Sequence, residues 1–547
     1  MGEATVEIPR LKWLKRLVAL YLLVFLGFAA FHWWLWRAVD RRIETIVEGW
    51  RQEGAPLPED ALNATGIATG TDNAAFYYQQ AINALPRLTQ RQIDEWDNWF
   101  GQTRPLPQEK APIVREIVEQ NRQWLDLARE ARSHDRIDWG QPAITMATSP
   151  NWSGARELAI RLDWAASLAY HDGDVASAAA YGSDLGHLGI STVHYGPSIV
   201  AGLVSSGICA LGNANLLEMA WHPPPGITPE QEREAWREAG SELDALIDHL
   251  LNESEDQAVR RLSWQGERVS VHSAIPAMAV AAPTPTASSL FLWPVMKADI
   301  ADLLEAESEI ARAAISEDPA AVMEVEFFRR QPETMAGTVA TFLTSILTPT
   351  IERSNLTFLR IAAERRMTAV LLASKRFHMD QGRWPVSLEE LTPRYLPRVP
   401  ADPFARDGRL LGFRTDTLVP IVYSVGDDFE DDGGSTAPPA TATRREQQRL
   451  RTLNSPHERA DLVYPLHLPE AYALFPSQFN VWNYLRDPMD ELERAREATM
   501  EAEKAARDIA EAQAEESPQR MPGELDVEDQ ERQPQRGQDE QERPAGA

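Results

Sequence analysis

Between Gly426 and Gly433 the chain sets five carboxylates in six positions: Asp427, Asp428, Glu430, Asp431 and Asp432. Flexible, oxygen-rich turns of this kind suit hard cations, calcium above all, which takes about six to eight oxygen ligands without strict geometry. The candidate metal ligands are Asp427, Asp428, Asp431 and Asp432, with Asp428 and Asp431 foremost. The same composition also reads as a solvated acidic turn on an acidic protein, and residue type alone leaves both readings open.

Other reactive side chains are scattered. His171, Asp174 and Glu267 supply the acid and base groups from which a hydrolase site could be assembled, if the fold brings them together. His187 and His194 are seven positions apart and can share a helix face, where a core or interface role is the simpler reading. Cys209 is the only cysteine, so the chain forms no internal disulfide and no cysteine-based metal site. Its neighbours Gly207, Ile208, Ala210 and Leu211 make it a small buried hydrophobe, because a reactive thiol needs an exposed, electropositive site. No HExxH, phosphate-binding loop, GxSxG elbow or dinucleotide fingerprint occurs, and the chain reads as non-enzymatic.

The elements that carry these residues begin with an anchor. Leu17 to Trp36 is a run of about 20 residues without a formal charge, enough to cross a bilayer core as a helix. Trp33, Trp34 and Trp36 crowd one end, where amphipathic rings favour the headgroup boundary. Arg10, Lys12, Lys15 and Arg16 precede the run, which predicts a cytoplasmic N-terminus, a single pass through the inner membrane and an extracytoplasmic body. Cleavage as a signal peptide at Gly27-Phe28-Ala29 is the competing reading, and the apolar stretch runs on past that point to Trp36.

From about Asp72 to Glu352 the patterning is helical. Residues 72–85 and 107–132 each show an apolar side at helical spacing. Leu158 to Tyr170 and Val175 to Leu188 read as an antiparallel pair across His171-Asp172-Gly173-Asp174, its small alanines allowing close approach as in tetratricopeptide repeats. Ile199 to Met219 is apolar, Pro223-Pro224-Pro225 ends that segment, and Thr228 caps the next helix. Ile275 to Val295 is apolar but carries Pro276, Pro283, Pro285 and Pro294, and it reads as an extended loop. Helices resume over 298–315 and 352–378.

Residues 360–434 carry linked motifs. A helix ends in Asp380-Gln381-Gly382-Arg383-Trp384-Pro385, and Leu388-Glu389-Glu390-Leu391 follows. Then come Tyr395-Leu396-Pro397-Arg398-Val399-Pro400-Ala401-Asp402-Pro403-Phe404 and, before the acidic loop, Tyr423-Ser424-Val425-Gly426-Asp427-Asp428. Gly382 can close the helix in a left-handed conformation, and Pro385 prevents its continuation. Leu410 to Phe413 and Ile421 to Val425 have strand composition and would pair around Thr415-Asp416. In residue types and order this segment resembles the globular part of type II secretion major pseudopilins. The resemblance implies a small α+β domain with calcium in the corresponding acidic loop, and it covers about 75 residues.

The expected fold is therefore mainly α: an anchor over 1–45, a helical-hairpin body over 46–351, a pseudopilin-like α+β domain over 352–470, a linker and charged helix over 471–517 and a disordered tail over 518–547. With 54 basic and 82 acidic residues the formal net charge is −28, which repels nucleic acid and anionic headgroups. These features point to a membrane-anchored envelope scaffold or secretion-related protein with an envelope protein as partner. An extracytoplasmic hydrolase is the alternative.

Overall fold

The computed structural model describes residues 10–62, 65–97, 105–120, 122–141, 152–281, 287–316, 318, 321–325, 342–417, 419–434 and 461–467. Residues 1–486 and 487–547 separate into two units, and all described residues belong to the first. The readings for 471–517 and 518–547 lie outside the described residues.

The first unit is mainly helical, as the patterning predicts. Arg10–Gln52 is one unbroken helix, α1, of 43 residues; at ~1.5 Å per residue it is about 65 Å long. Its large apolar side chains from Trp13 to Trp34, and Trp36, are exposed, and the helix is long and apolar enough to cross a membrane. The boundary expected near residue 45 falls inside it. Beyond Trp36 the same helix enters the body, burying Val39, Ile43 and Trp50.

Five shorter helices follow: α2 (Pro58–Leu62), α3 (Ala74–Ala84), α4 (Gln90–Asp97), α5 (Ala111–Glu119) and α6 (Gln123–Arg132). The single helix expected over 107–132 is two. α5 buries Val114, Ile117 and Val118, and packs on α7 (Trp152–His171), whereas α6 packs on α3 through Trp124, Leu125 and Ala128. One straight helix does not reach both partners. α7 and α8 (Val175–Val193) form the expected hairpin: Gly173 turns at φ +82°, and Asp174 accepts the N–H of Ser177 at 2.9 Å. α9 (Ile199–Trp221) is also long and apolar enough to span a membrane, but most of it is buried as a core helix. It lies so close to α8 that a Cβ on Gly189 would stand 2.6 Å from the Cys209 sulfur.

α10 (Pro229–Glu238) starts at the Thr228 cap, closed reciprocally by Gln231, and leads into α11 (Gly240–Leu250). The extended loop expected over 275–295 is corrected at both ends, for α12 (Glu253–Ala281) continues through Pro276 and α13 (Ala287–Ala313) contains Pro294, while 282–286 lie outside the described residues. Proline weakens a helix by removing one hydrogen bond, and here two long flanking helices outweigh that local loss. A short turn, α14 (Ala321–Glu324), precedes α15 (Phe342–Gln381), which ends where Gly382 adopts φ +69° and donates its N–H to the His378 carbonyl at 2.8 Å.

After a single 3-10 turn at Leu388–Leu391 come β1 (Gly412–Arg414), β2 (Ile421–Ser424) and β3 (Leu462–Pro465), an antiparallel sheet in the order β1-β2-β3. The hairpin expected at 410–425 forms, with Phe413 opposite Val422; β3 was not anticipated. One core holds Leu216 and Met219 of α9, Leu243 and Ile247 of α11, Met367 and Val370 of α15, and Val422 and Leu462 of the sheet. Its side chains come from both sides of residue 351/352.

Candidate functional site

The motif residues of the C-terminal segment interlock. Asp402 is buried and accepts three hydrogen bonds, from the Phe404 N–H at 2.9 Å, the Ser424 hydroxyl at 2.6 Å and the Val425 N–H at 2.8 Å. It thereby ties the connector at Pro403 to the strand that feeds the acidic loop. The Tyr395 hydroxyl donates to Asp380 at 2.9 Å, and Trp384 stacks on His378 and His467.

The acidic loop sits on this frame, and its carboxylates have different surroundings. Asp427 takes the Arg360 guanidinium through both oxygens, with Nε at 2.9 Å. Asp431 pairs with Arg409 at 2.8 Å and accepts the Gly433 N–H. Asp428 accepts the Glu430 N–H at 3.1 Å; its carboxyl is pushed above the usual range by desolvation, then by the charges of Asp432 and Glu430. Asp432 lies beside Asp461, a residue with no local signal in the sequence because its partners are 27 and 29 positions away. Asp461 is buried just before β3, accepts the N–H groups of Gly434 and Asp432, and is pushed up to about 7 by burial, then by the charges of Asp432 and Asp431.

This donor set suits calcium in its chemistry. Two of the four candidate ligands, Asp427 and Asp431, are neutralised by arginines, and among the described residues no three His, Cys, Asp or Glu side chains converge on one point.

The scattered hydrolase residues do not meet. His171 is held between Gln108 at 3.0 Å and Asp172 at 3.1 Å. Asp174 caps the start of α8, while Glu267 accepts the Ile199 N–H at 2.9 Å, at the start of α9 beyond the other end of α8. Across the 19 residues of α8 that separation is about 27 Å.

His187 and His194 do share a feature, a cleft of about 550 Å³ lined also by Arg132, Asp135, Asp248 and His249. Burial holds both imidazoles at about 4, helped by the charge of His249 on His187 and of Arg261 on His194. His187 Nδ1 bonds the Tyr78 hydroxyl at 2.7 Å. His249 Nδ1 lies 3.2 Å from Glu255, an orientation that resembles a catalytic base with its carboxylate. Its Nε2, however, is buried with no hydrogen-bond partner and is turned against α8, where a Cβ on Gly186 would come within 2.3 Å of it. That nitrogen faces backbone rather than the cleft, so the pair organises the core.

No family model, curated protein or solved structure matches the chain.

Proposed function

We propose that this protein is a membrane-anchored envelope scaffold, its N-terminus cytoplasmic and its helical body extracytoplasmic, presenting a rigid surface to an envelope protein partner. The observation that supports this reading is the continuity of α1. The exposed apolar half passes without a break into a half that is bolted to the body, through Trp50 Nε1 to Ser308 at 2.8 Å, Arg42 to Asp302 at 2.5 Å and Lys297 to Asp40. A body held this way keeps a set height and orientation above the bilayer, which serves a docking platform.

The C-terminal segment enters as a pseudopilin-like docking element, supported by the resemblance and by the interlock at Asp402. Calcium at the acidic loop belongs to the same reading, and binding requires Asp431 to exchange Arg409 for the ion. The hydrolase alternative needs a site other than His171, Asp174 and Glu267.

Two measurements test the proposal. A reporter fused after residue 60 is expected to be active only outside the cytoplasm, and crosslinking in intact membranes is expected to retain one defined envelope protein on purification. Cytoplasmic activity of the reporter refutes the topology. A body that purifies alone after crosslinking refutes the scaffold.

A further inference from the structure

α7 carries the floor of a second cleft, away from the acidic loop and from the cleft of His187 and His194. Trp152, Arg156, Ile160 and Trp164 recur every four residues along one stripe of that helix, and Glu157 and Arg161 lie on the stripe beside it. Leu88, in the connection after α3, and Val204 of α9 complete the apolar lining. The cleft holds about 550 Å³, within the range of about 300–1,000 Å³ usual for small-molecule sites. Trp152 is fixed in place, its Nε1 donating to the Tyr195 carbonyl at 2.9 Å. The apolar surface continues outward, since Val200, one turn before Val204, is 50% exposed.

Arg161 is the unusual member of this lining. Its side chain is only 2% exposed, and its guanidinium lies over the Trp164 ring at 4.7 Å. Nη2 donates to Glu157 at 2.8 Å, whereas Nη1 is buried and has no hydrogen-bond partner among the described residues. A buried charged donor without an acceptor is rare in folded proteins, because nothing offsets its lost hydration. Glu157 does not neutralise the cleft. Its side chain is 55% exposed, and Arg156 adds a second, exposed cation to the lining. Two arginines against one glutamate leave one net positive charge here, on a chain whose formal net charge is −28.

We infer that this cleft binds a single-chain apolar monocarboxylate, its carboxylate accepting from Arg161 Nη1 and its aliphatic body lying against Leu88, Ile160 and Val204. A guanidinium fork matches a planar carboxylate, and exclusion of water strengthens the charged hydrogen bond. One net positive charge balances a monoanion and leaves a phosphate dianion uncompensated. The apolar lining selects for a long hydrocarbon body over a small hydrophilic acid, because binding strength then grows with the apolar area removed from water. The site lies wholly within the helical body. It goes beyond the scaffold reading and is independent of α1 as a membrane span.

The test uses full-length protein in phosphatidylcholine nanodiscs and decanoic acid carrying a diazirine near the end of its chain. After illumination, mass spectrometry is expected to place cross-links within 152–164 and 200–204, while labelling of α1 measures acid dissolved in the bilayer. Unlabelled decanoate should displace the probe from the cleft at least tenfold more effectively than decanol, which has the same chain and no charge. Arg161→Met should lower labelling of the cleft at least tenfold. It leaves no unpaired buried charge, because Glu157 is 55% exposed, and an unchanged melting curve checks that it folds. Val204→Trp, which fills the cleft and keeps Arg161, should abolish labelling there as a second, independent variant. Labelling confined to α1 overturns the inference, and so does equal displacement by decanol and decanoate. If phosphatidylglycerol added to the nanodiscs, or a peptide with an apolar free C-terminus, displaces the probe better than decanoate does, the occupant is a membrane lipid or a protein and the inference also fails.

Discussion

Replacing Arg365 by Met should unlock the centre of the molecule. This fully buried side chain of α15 donates to Glu255 at 2.7 Å and to the His249 carbonyl at 2.6 Å, and it also pairs with Asp256. It thus ties α15 to the end of α11 and the start of α12. Burial alone would raise Glu255, but His249 and Arg365 outweigh it and hold the carboxyl at about 2, against 4.5 for an ordinary glutamate. That depression corresponds to about 3.5 kcal/mol shared between His249 and Arg365. Removing one member of a buried pair typically costs about 3–5 kcal/mol, because the other charge stays desolvated. The lower end of that range, about 3 kcal/mol, is the expected loss, and at roughly 2 °C per kcal/mol for a large domain Tm should fall by about 6 °C. The sign fixes the pH of the experiment: a depressed carboxylate contributes above its unfolded pKa and loses that contribution as pH falls through the folded one, so the effect is complete at pH 7. Melting of the full-length protein in detergent, followed by tryptophan fluorescence, measures it. Arg398→Ala is the control, since Arg398 and Glu253 are 63% and 40% exposed and such a pair contributes about 1 kcal/mol or less. Equal melting of Arg365→Met and wild type would refute the assignment of this network as the tie between helices.

Three further outcomes are expected. Glu364, one turn beyond Arg360, is pushed up to about 7 by burial against the opposing charge of Arg360. The folded state then keeps a proton that the unfolded chain loses near 4.5, so this group should lower stability by up to about 3 kcal/mol as pH rises from 5 to 8; Glu364→Gln should remove that share of the slope, leaving the part due to Asp461, and parallel curves for the two proteins would contradict it. Gly186→Ala should drive a methyl into the His249 ring, which Glu255 holds in place, and lower stability by about 1–3 kcal/mol; an unchanged melting curve would show that the ring swings aside. Calcium should raise Tm of the full chain through a loop site, by an amount that Asp428→Asn and Asp431→Asn reduce, and identical melting in calcium and in chelator ends the metal reading.

What the sequence alone settled is what local patterning can carry. The uncharged run Leu17–Trp36 marked an apolar helix, the small alanines with Gly173 and Asp174 marked the α7–α8 hairpin, and Gly382 marked the end of α15, because charge, periodicity and helix caps act within a few residues. The two β1–β2 strands were legible for the same reason, whereas β3 was not, since nothing near Leu462 signals pairing with residues some forty positions earlier. Four prolines made 275–295 read as a loop, yet α12 continues as far as Ala281 and α13 is already helical at Ala287, because long helices on either side carry past a single proline. The acidic loop shows the limit most clearly. Its carboxylates were plain in the sequence, but their state was decided by Arg360, Arg409 and Asp461, which stand 67, 22 and 27–29 positions away, and long-range electrostatics has no local signature. In the same way Asp174 and Glu267 were readable as reactive types, and only the length of α8 between them decided that they serve as caps at opposite ends rather than as one site.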